Sequence, residues 1–446
     1  MTRASRLGLG AAIAAMALAA TPALADDAKV DTGDTAWMLT STAIVLMMTI
    51  PGLALFYAGM VRKKNVLATM MQSFTAAAVI AVTWMVAGYS FAFGEGGAYF
   101  GDFSRLFLSG IAANWDKPFS LGTGESAVAF TIPETVFVMF QMTFAIITPA
   151  LIAGAFADRM KFSALLMFLV LWSLLIYSPV AHWVWHPNGW LFALGAADFA
   201  GGTVVHINAG VAGLVAAIVI GKRLGYGTDN MAPFNLALAV IGASLLWVGW
   251  FGFNAGSAGG AGGRAGMAML VTQLGAAAAT LGWLFAEWMV RGKPTVLGAV
   301  SGAVAGLVAI TPASGFVLPI PAIIIGAVSG VVCFWAATSL KHMLGYDDSL
   351  DAFGVHGVGG IVGALLTGFF AFGPLSATPS APEGVVGGME LFIKQCIAVG
   401  ATITFCAIGT AVILFVVKLL CGGELRVTPD EEREGLDEVL HGERLG

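Results

Sequence analysis

Eleven long apolar stretches joined by short polar links occupy nearly the whole chain, near residues 36–60, 66–93, 131–156, 162–180, 199–220, 235–254, 266–290, 296–312, 316–338, 353–372 and 391–420. A helix rises 1.5 Å per residue, so ~20 apolar residues cross a ~30 Å hydrocarbon core, and most of these stretches suit one crossing each. Ordinary soluble domains carry roughly 25% charged residues, whereas this chain has 11% against 58% hydrophobic. A soluble enzyme is excluded, and the expected class is an all-α polytopic membrane protein. The net charge of −5, with no basic block, offers no footprint for nucleic acid. Cys333, Cys396, Cys406 and Cys421 show no C-x-x-C spacing, and no metal or redox role is assigned to them.

Arg3 and Arg6 precede an apolar run from Leu7 to Ala20 that ends in Ala23-Leu24-Ala25. This reads as a secretory signal peptide over residues 1–25, cleaved after Ala25. Basic residues then divide unevenly between alternate loops. One set holds Arg62, Lys63, Lys64, Arg159, Lys161, Lys222, Arg223, Arg291, Lys293 and Lys341; the other holds Arg105, Lys117 and Arg264. The richer set belongs in the cytoplasm, which puts the mature N-terminus outside and the tail, residues 421–446, inside. The signal peptide demands the same orientation.

The chain has 59 glycines, a burden in a soluble helix but an aid to close packing in lipid. Gly298, Gly302 and Gly306, and then Gly326 and Gly330, recur at four-residue spacing and read as packing stripes. A weak internal repeat is also present. Val205-His206 is followed by Gly210 and Gly213, Val355-His356 by Gly360 and Gly363, and Asp198 and Asp348 each lie eight residues before their histidine. Phe56-Tyr57-Ala58-Gly59 likewise echoes Phe253-Asn254-Ala255-Gly256. Two five-helix halves follow, 36–220 and 235–372, the second inverted because each holds an odd number of spans. Span 391–420 stands outside both, and residues 26–420 form one channel domain. Such repeats place a substrate path at their interface.

Of six histidines only His206 and His356 lie well inside spans. Intramembrane ionisable groups default to a functional reading. Neutral imidazoles each offer one donor and one acceptor, a polar stripe suited to a small molecule that both gives and takes hydrogen bonds. His182 and His186 have the spacing of a helical metal pair, but no carboxylate completes the motif. Asp198, ahead of Gly201-Gly202, reads as a helix cap, and so does Glu134 after Pro133. Trp183, Trp185 and Trp190 suit an interfacial belt, although one tryptophan at a pore mouth would attract cations through its ring face.

Three segments, Asp198-Phe-Ala-Gly-Gly-Thr-Val-Val-His206-Ile-Asn, Trp250-Phe-Gly-Phe-Asn-Ala-Gly-Ser257 and Phe353-Gly-Val-His356-Gly-Val-Gly-Gly, resemble the Amt-type ammonium transporter family, bacterial members included, over the chain from about Asp34 to the tail. The resemblance implies a homotrimer of eleven-helix protomers, each with its own pore, in the bacterial inner membrane. It also implies an ammonium recruitment site at Trp185, Ser257 and Phe144, and a gate of stacked rings at Phe144 and Phe253. The pore would be lined by His206, His356 and Trp250, with Asp198 in a supporting role and no cofactor. The acidic tail, with Glu431-Glu-Arg-Glu-Gly435-Leu-Asp437 and His441-Gly-Glu443, resembles the family's cytoplasmic segment, which couples protomers and receives a PII signalling protein. Thr428-Pro429-Asp430 offers a helix start, and Leu436, Val439 and Leu440 offer a docking face.

Magnitudes bear on the mechanism. Cation–π contacts supply ~0.5 to 2 kcal/mol, while a charge at mid-bilayer costs from ~2.5 to above 10 kcal/mol. Shedding a proton whose pKa lies ~2 to 3 units above neutral costs about 3 to 4 kcal/mol. Recruitment of ammonium followed by conduction of ammonia is therefore the expected route. A potassium filter such as T-V-G-Y-G is absent from the sequence. The main alternative is an ammonium sensor of the same fold that signals through a partner.

Overall fold

The computed structural model describes residues 29–377 and 383–446; the expected signal peptide lies outside them. Among the described residues, ten helices are long and apolar enough to cross a membrane. They are α1 (Thr32–Met60), α2 (Lys63–Phe93), α3 (Glu134–Phe156), α4 (Phe162–Leu194), α5 (Gly202–Ile220), α6 (Leu236–Gly256), α7 (Gly263–Arg291), α9 (Pro319–Leu344), α10 (Phe353–Phe370) and α11 (Met389–Leu420). The helix between α7 and α9, α8 (Val296–Ile310), has 15 residues, or about 22 Å of rise, which is short of a full crossing. Its expected last residues, Thr311 and Pro312, fall instead in buried turns that run to Phe316. Ten full-length helices and one shorter one thus stand where eleven apolar stretches were read.

The stretch read from residue 131 also begins differently. Residues Val128–Pro133 form strand β2, antiparallel to β1 (Pro118–Leu121), and α3 starts at Glu134. Pro133 has an extended backbone and no N–H to give a helix ladder. Glu134 caps nothing: its carboxylate accepts from the Tyr89 hydroxyl at 2.8 Å and from Arg105.

Small residues decide how the rods pack. A Cβ on Gly302 would lie 2.7 Å from Trp283 Cβ, one on Gly306 2.5 Å from Ala279 Cβ, and one on Gly330 2.8 Å from Trp283 N. The two glycine stripes thus hold α8 and α9 against α7 at backbone contact. Apolar side chains cover the outside, among them Leu281, Phe285, Ile320, Ile408 and Phe415, as a multi-pass membrane protein requires. The tail folds back under the bundle as α12 (Pro429–Glu434) and α13 (Leu436–His441). Thr428 and Glu431 form a reciprocal capping box at its start. Leu436 is buried against Ala68 and Val427, and its N–H donates to Asn65 Oδ1 at 2.8 Å.

Candidate functional site

The helices that carry the two intramembrane histidines begin alike. Both α5 and α10 open with a wide, π-type turn, Gly202–Ile207 and Phe353–Gly357, that contains the histidine. Each start is held by the aspartate eight residues upstream. Asp198 accepts the N–H groups of Gly201, Gly202, Thr203 and Val204 at 2.7 to 3.2 Å. Burial raises its pKa, and these four donors oppose the rise. Asp348 accepts from Ala352 and Phe353 at 3.0 and 2.8 Å.

Further along, α5 and α10 cross with Gly210 so close to Gly357 that a Cβ on Gly210 would collide with backbone. That approach brings His206 Nδ1 within 3.3 Å of His356 Nδ1, with ring centroids 5.4 Å apart and planes 20° apart. One Nδ1–H donates and the other Nδ1 accepts, so the two rings must hold different tautomers. His206 stacks on Trp250 at 5.3 Å, and the Trp250 indole is fixed by donation to Thr311 Oγ1 at 2.8 Å. Around both histidines lies a narrow apolar cavity whose walls include Phe56, Leu246, Trp250, Phe253 and Val304. It leaves about 10 Å³ for the centre of a water-sized molecule, room for a single small guest. His206 Nε2 is buried without a partner.

Phe253 closes this cavity on one side. Its ring stacks on Phe144 at 4.1 Å and 28°, and both side chains are fully buried. Beyond them opens a second, larger cavity of about 230 Å³, whose walls include Phe144, Trp185, Ser257 and Arg264. Trp185 stands edge-on to Phe144 at 5.8 Å and donates its indole N–H to Asp198 O at 3.0 Å. Ser257 donates to Phe253 O at 2.8 Å, which leaves its oxygen lone pairs for a donor in the cavity. Trp183, two residues from Trp185 and hence on another helix face, packs on Phe405 and Trp190 instead. His182 and His186 stack at 4.5 Å away from both cavities. The His182 ring nitrogens meet Ala92 O and Gly97 O at 2.9 and 2.7 Å. The structure thus brings Phe144, Trp185, Ser257, Phe253, Trp250, His206 and His356 onto one line, with Asp198 bracing it from behind.

At the opposite end of α5 lies a charged network that reading loop by loop missed. Arg159 is completely buried and donates to the carbonyls of Ala155, Ala157, Gly221 and Asp347 and to Ser349 Oγ. Burial pulls its pKa down to about 10, with Asp347 opposing. Arg223 holds both oxygens of Asp347 at 2.7 and 2.9 Å, and Arg62 holds Asp158 at 3.0 Å. An arginine placed one residue beyond a span was the only available signal, and it records a side of the membrane rather than a depth.

These features recur in known proteins. The sequence profile of the Ammonium Transporter Family matches residues 36–445. An ammonium transporter of Bacillus subtilis (strain 168) is 50% identical over 413 residues, 92% of this chain and 98% of that protein. The fold matches the crystal structure of Saccharomyces cerevisiae Mep2 with a TM-score of 0.81 at 35% identity, covering 91% of this chain and 89% of that one. It also matches a sensor Amt protein with a TM-score of 0.81 at 28% identity, covering 92% and 98%. With the profile spanning all the helices, both cavities and the tail, the chain belongs to the Ammonium Transporter Family.

Proposed function

We propose that the protein is an ammonium transporter that recruits ammonium in the aromatic cavity, strips a proton at the Phe144–Phe253 stack and passes ammonia along His206 and His356. The observation that carries this reading is the order of parts. A 230 Å³ cavity walled by π faces leads to two stacked rings, and behind these lies a cavity of about 10 Å³ beside paired imidazoles. Ring faces and the Ser257 oxygen supply the weak attraction that a cation needs in order to arrive and leave again. Neither the stack nor the narrow cavity holds a charge to replace the water a cation would lose there, and desolvating it costs more than deprotonation. Neutral ammonia can donate to an imidazole nitrogen and accept from an N–H, and the unpartnered His206 Nε2 is available for this.

In this reading the aromatic mouth faces the periplasm of a bacterial inner membrane and the tail faces the cytoplasm, in accord with the loop charges. Residues 1–25 are the cleaved signal, 26–420 the channel and 421–446 the regulatory tail. The protomers assemble as a homotrimer, and the docked tail is the face for a PII protein.

Ammonium uptake in a strain lacking other ammonium transporters tests the proposal. Growth and uptake at low ammonium are expected. No uptake from a trimer correctly inserted in the membrane would overturn the reading in favour of a sensor, the role named for one of the structures this fold matches.

A further inference from the structure

Among the residues that line the aromatic cavity, Arg264 alone carries a formal charge, and that charge is positive. Its guanidinium carbon lies 4.7 Å from the centroid of Phe199 and 5.2 Å from that of Phe316, rings that meet edge-to-face at 5.7 Å. Nε donates to Gly315 O at 3.1 Å. Among the described residues no carboxylate pairs with it. Two ring faces and a carbonyl pin the guanidinium in place, so its charge is a fixed part of the wall rather than a tether free to swing into water.

We infer that Arg264 sets the affinity of the cavity for ammonium, weakening it by direct repulsion, and at the same time favours loss of the ammonium proton. The inference rests on the reading of this cavity as the recruitment site. A like charge nearby disfavours the charged form of any titratable group, so the same residue that makes ammonium bind less tightly makes ammonia cheaper to form at the gate. Without it, a cavity of phenylalanine and tryptophan faces would act as a cation trap in front of a pore that admits only the neutral species. The Phe199 face that could have joined in gathering ammonium is already turned to the guanidinium.

The test is initial-rate methylammonium uptake by reconstituted trimers, at fixed pH, across low and high concentrations of N-methylglucamine gluconate. Arg264→Gln should lower the apparent KM by about threefold to tenfold at low ionic strength, the range for unit charges some 10 Å apart in a partly hydrated site. Arg264→Lys, which keeps the charge, should stay near the wild type. Added salt should lower the wild-type KM by screening the repulsion and leave that of Arg264→Gln unmoved. A wild-type KM that does not respond to salt, or a glutamine variant with reduced maximal rate and unchanged KM, would show that Arg264 only clamps Phe199 and Phe316. The wild-type salt series decides the matter even if the glutamine variant fails to fold. Trp185→Leu runs alongside: if it leaves KM unaltered, the recruitment reading itself fails, whereas a raised KM there with no effect at Arg264 overturns this inference alone.

Discussion

Asp198 and Asp348 stand at matching places in the two halves, each holding the start of a histidine helix, yet their surroundings diverge. Asp198 accepts four backbone N–H groups behind a cavity of aromatic faces. Asp348 accepts two and sits among Asp351, Lys341 and the Arg159–Asp347–Arg223 network. One device, a carboxylate on a helix start, has thus been finished as an open π-lined mouth at one end and as an ion-paired platform at the other. The contrast follows from what each end must do. A mouth that gathers a cation and lets it go works with attractions of ~0.5 to 2 kcal/mol, and a full carboxylate there would hold the ion. The platform instead cross-links the ends of α3, α5 and α9 to the tail, through Arg426, which donates to Lys222 O at 2.7 Å and binds Glu432.

The largest effect should come from where the halves meet. Replacing both histidines, His206→Ala with His356→Ala, removes the only titratable side chains lining the narrow cavity. The ammonium-evoked current should fall at least about tenfold at equal surface amount, because a proton transfer aided by a positioned group is typically worth 10²–10⁴. Retention of both the current and potassium exclusion would break the link between the paired imidazoles and transport. His342→Ala, on an exposed side chain that reaches only Thr338 O, is the control expected to change nothing.

The two caps come next. Charge-assisted hydrogen bonds contribute roughly 1.5 to 3 kcal/mol each when their loss leaves buried donors behind. Asp198→Ala strands four such donors and Asp348→Ala two, so the first should lower the thermal midpoint of purified trimers clearly more than the second. Asp198→Asn, which keeps an acceptor, should fall between Asp198→Ala and the wild type. Equal losses at the two sites would show that the ion-paired surroundings, not the number of donors, govern the stability of each half.

How much of this could be read in advance differs between the two ends. The helices were legible because a run of ~20 apolar residues suits a membrane-crossing helix and little else, and the histidines because an ionisable group inside such a run is costly. The rest depended on rotation and depth. Trp183 and Trp185 are two residues apart on one helix, so one faces the cavity and the other does not, and no periodicity fixes which. Arg159 and Arg264 count equally as loop charges, yet one is wholly buried and the other lines the vestibule wall. Glu134 follows a proline like a cap but meets a tyrosine and an arginine brought by other segments. The β1–β2 hairpin lies in a polar stretch with no alternation strong enough to announce it.

A smaller effect is expected at the tail, whose docking sharpens the platform side of the comparison. Gly435 has φ +120°, and a Cβ there would lie 2.6 Å from Lys64 Cβ and 2.7 Å from Lys64 O. Gly435→Asp therefore adds backbone strain of about 1–3 kcal/mol to a steric clash, and it should release α12 and α13 without dissociating the trimer. Limited proteolysis should cut the variant tail at protease levels that spare the wild type, and transport should drop. A tail that stays protected, with wild-type transport, would mean that the contact at Lys64 is incidental.

The smallest effect is one of pH and separates neighbours within the platform. Burial raises the Asp348 pKa, the charge of Asp351 raises it further, and Lys341 opposes. At Asp347 burial pushes the same way but is outweighed by the hydrogen bonds and charge of Arg223, which hold that carboxyl below its usual range. The signs therefore differ. The unfolded chain titrates near 3.9, so at Asp348 the folded state binds the proton more tightly. Its contribution to stability is present in acid and is lost as pH rises from about 4 toward neutrality. Asp347 contributes above that range, and its share is lost as pH falls. Asp348→Asn should flatten the decline in thermal midpoint on the rising side, and Asp347→Asn should remove the protection lost on the acid side while lowering stability at neutral pH. If Asp348→Asn left the slope between about pH 4 and 7 unchanged, the carboxylate at this helix start would carry its charge as comfortably as an exposed one. The platform would then be no more restrictive for a buried acid than water.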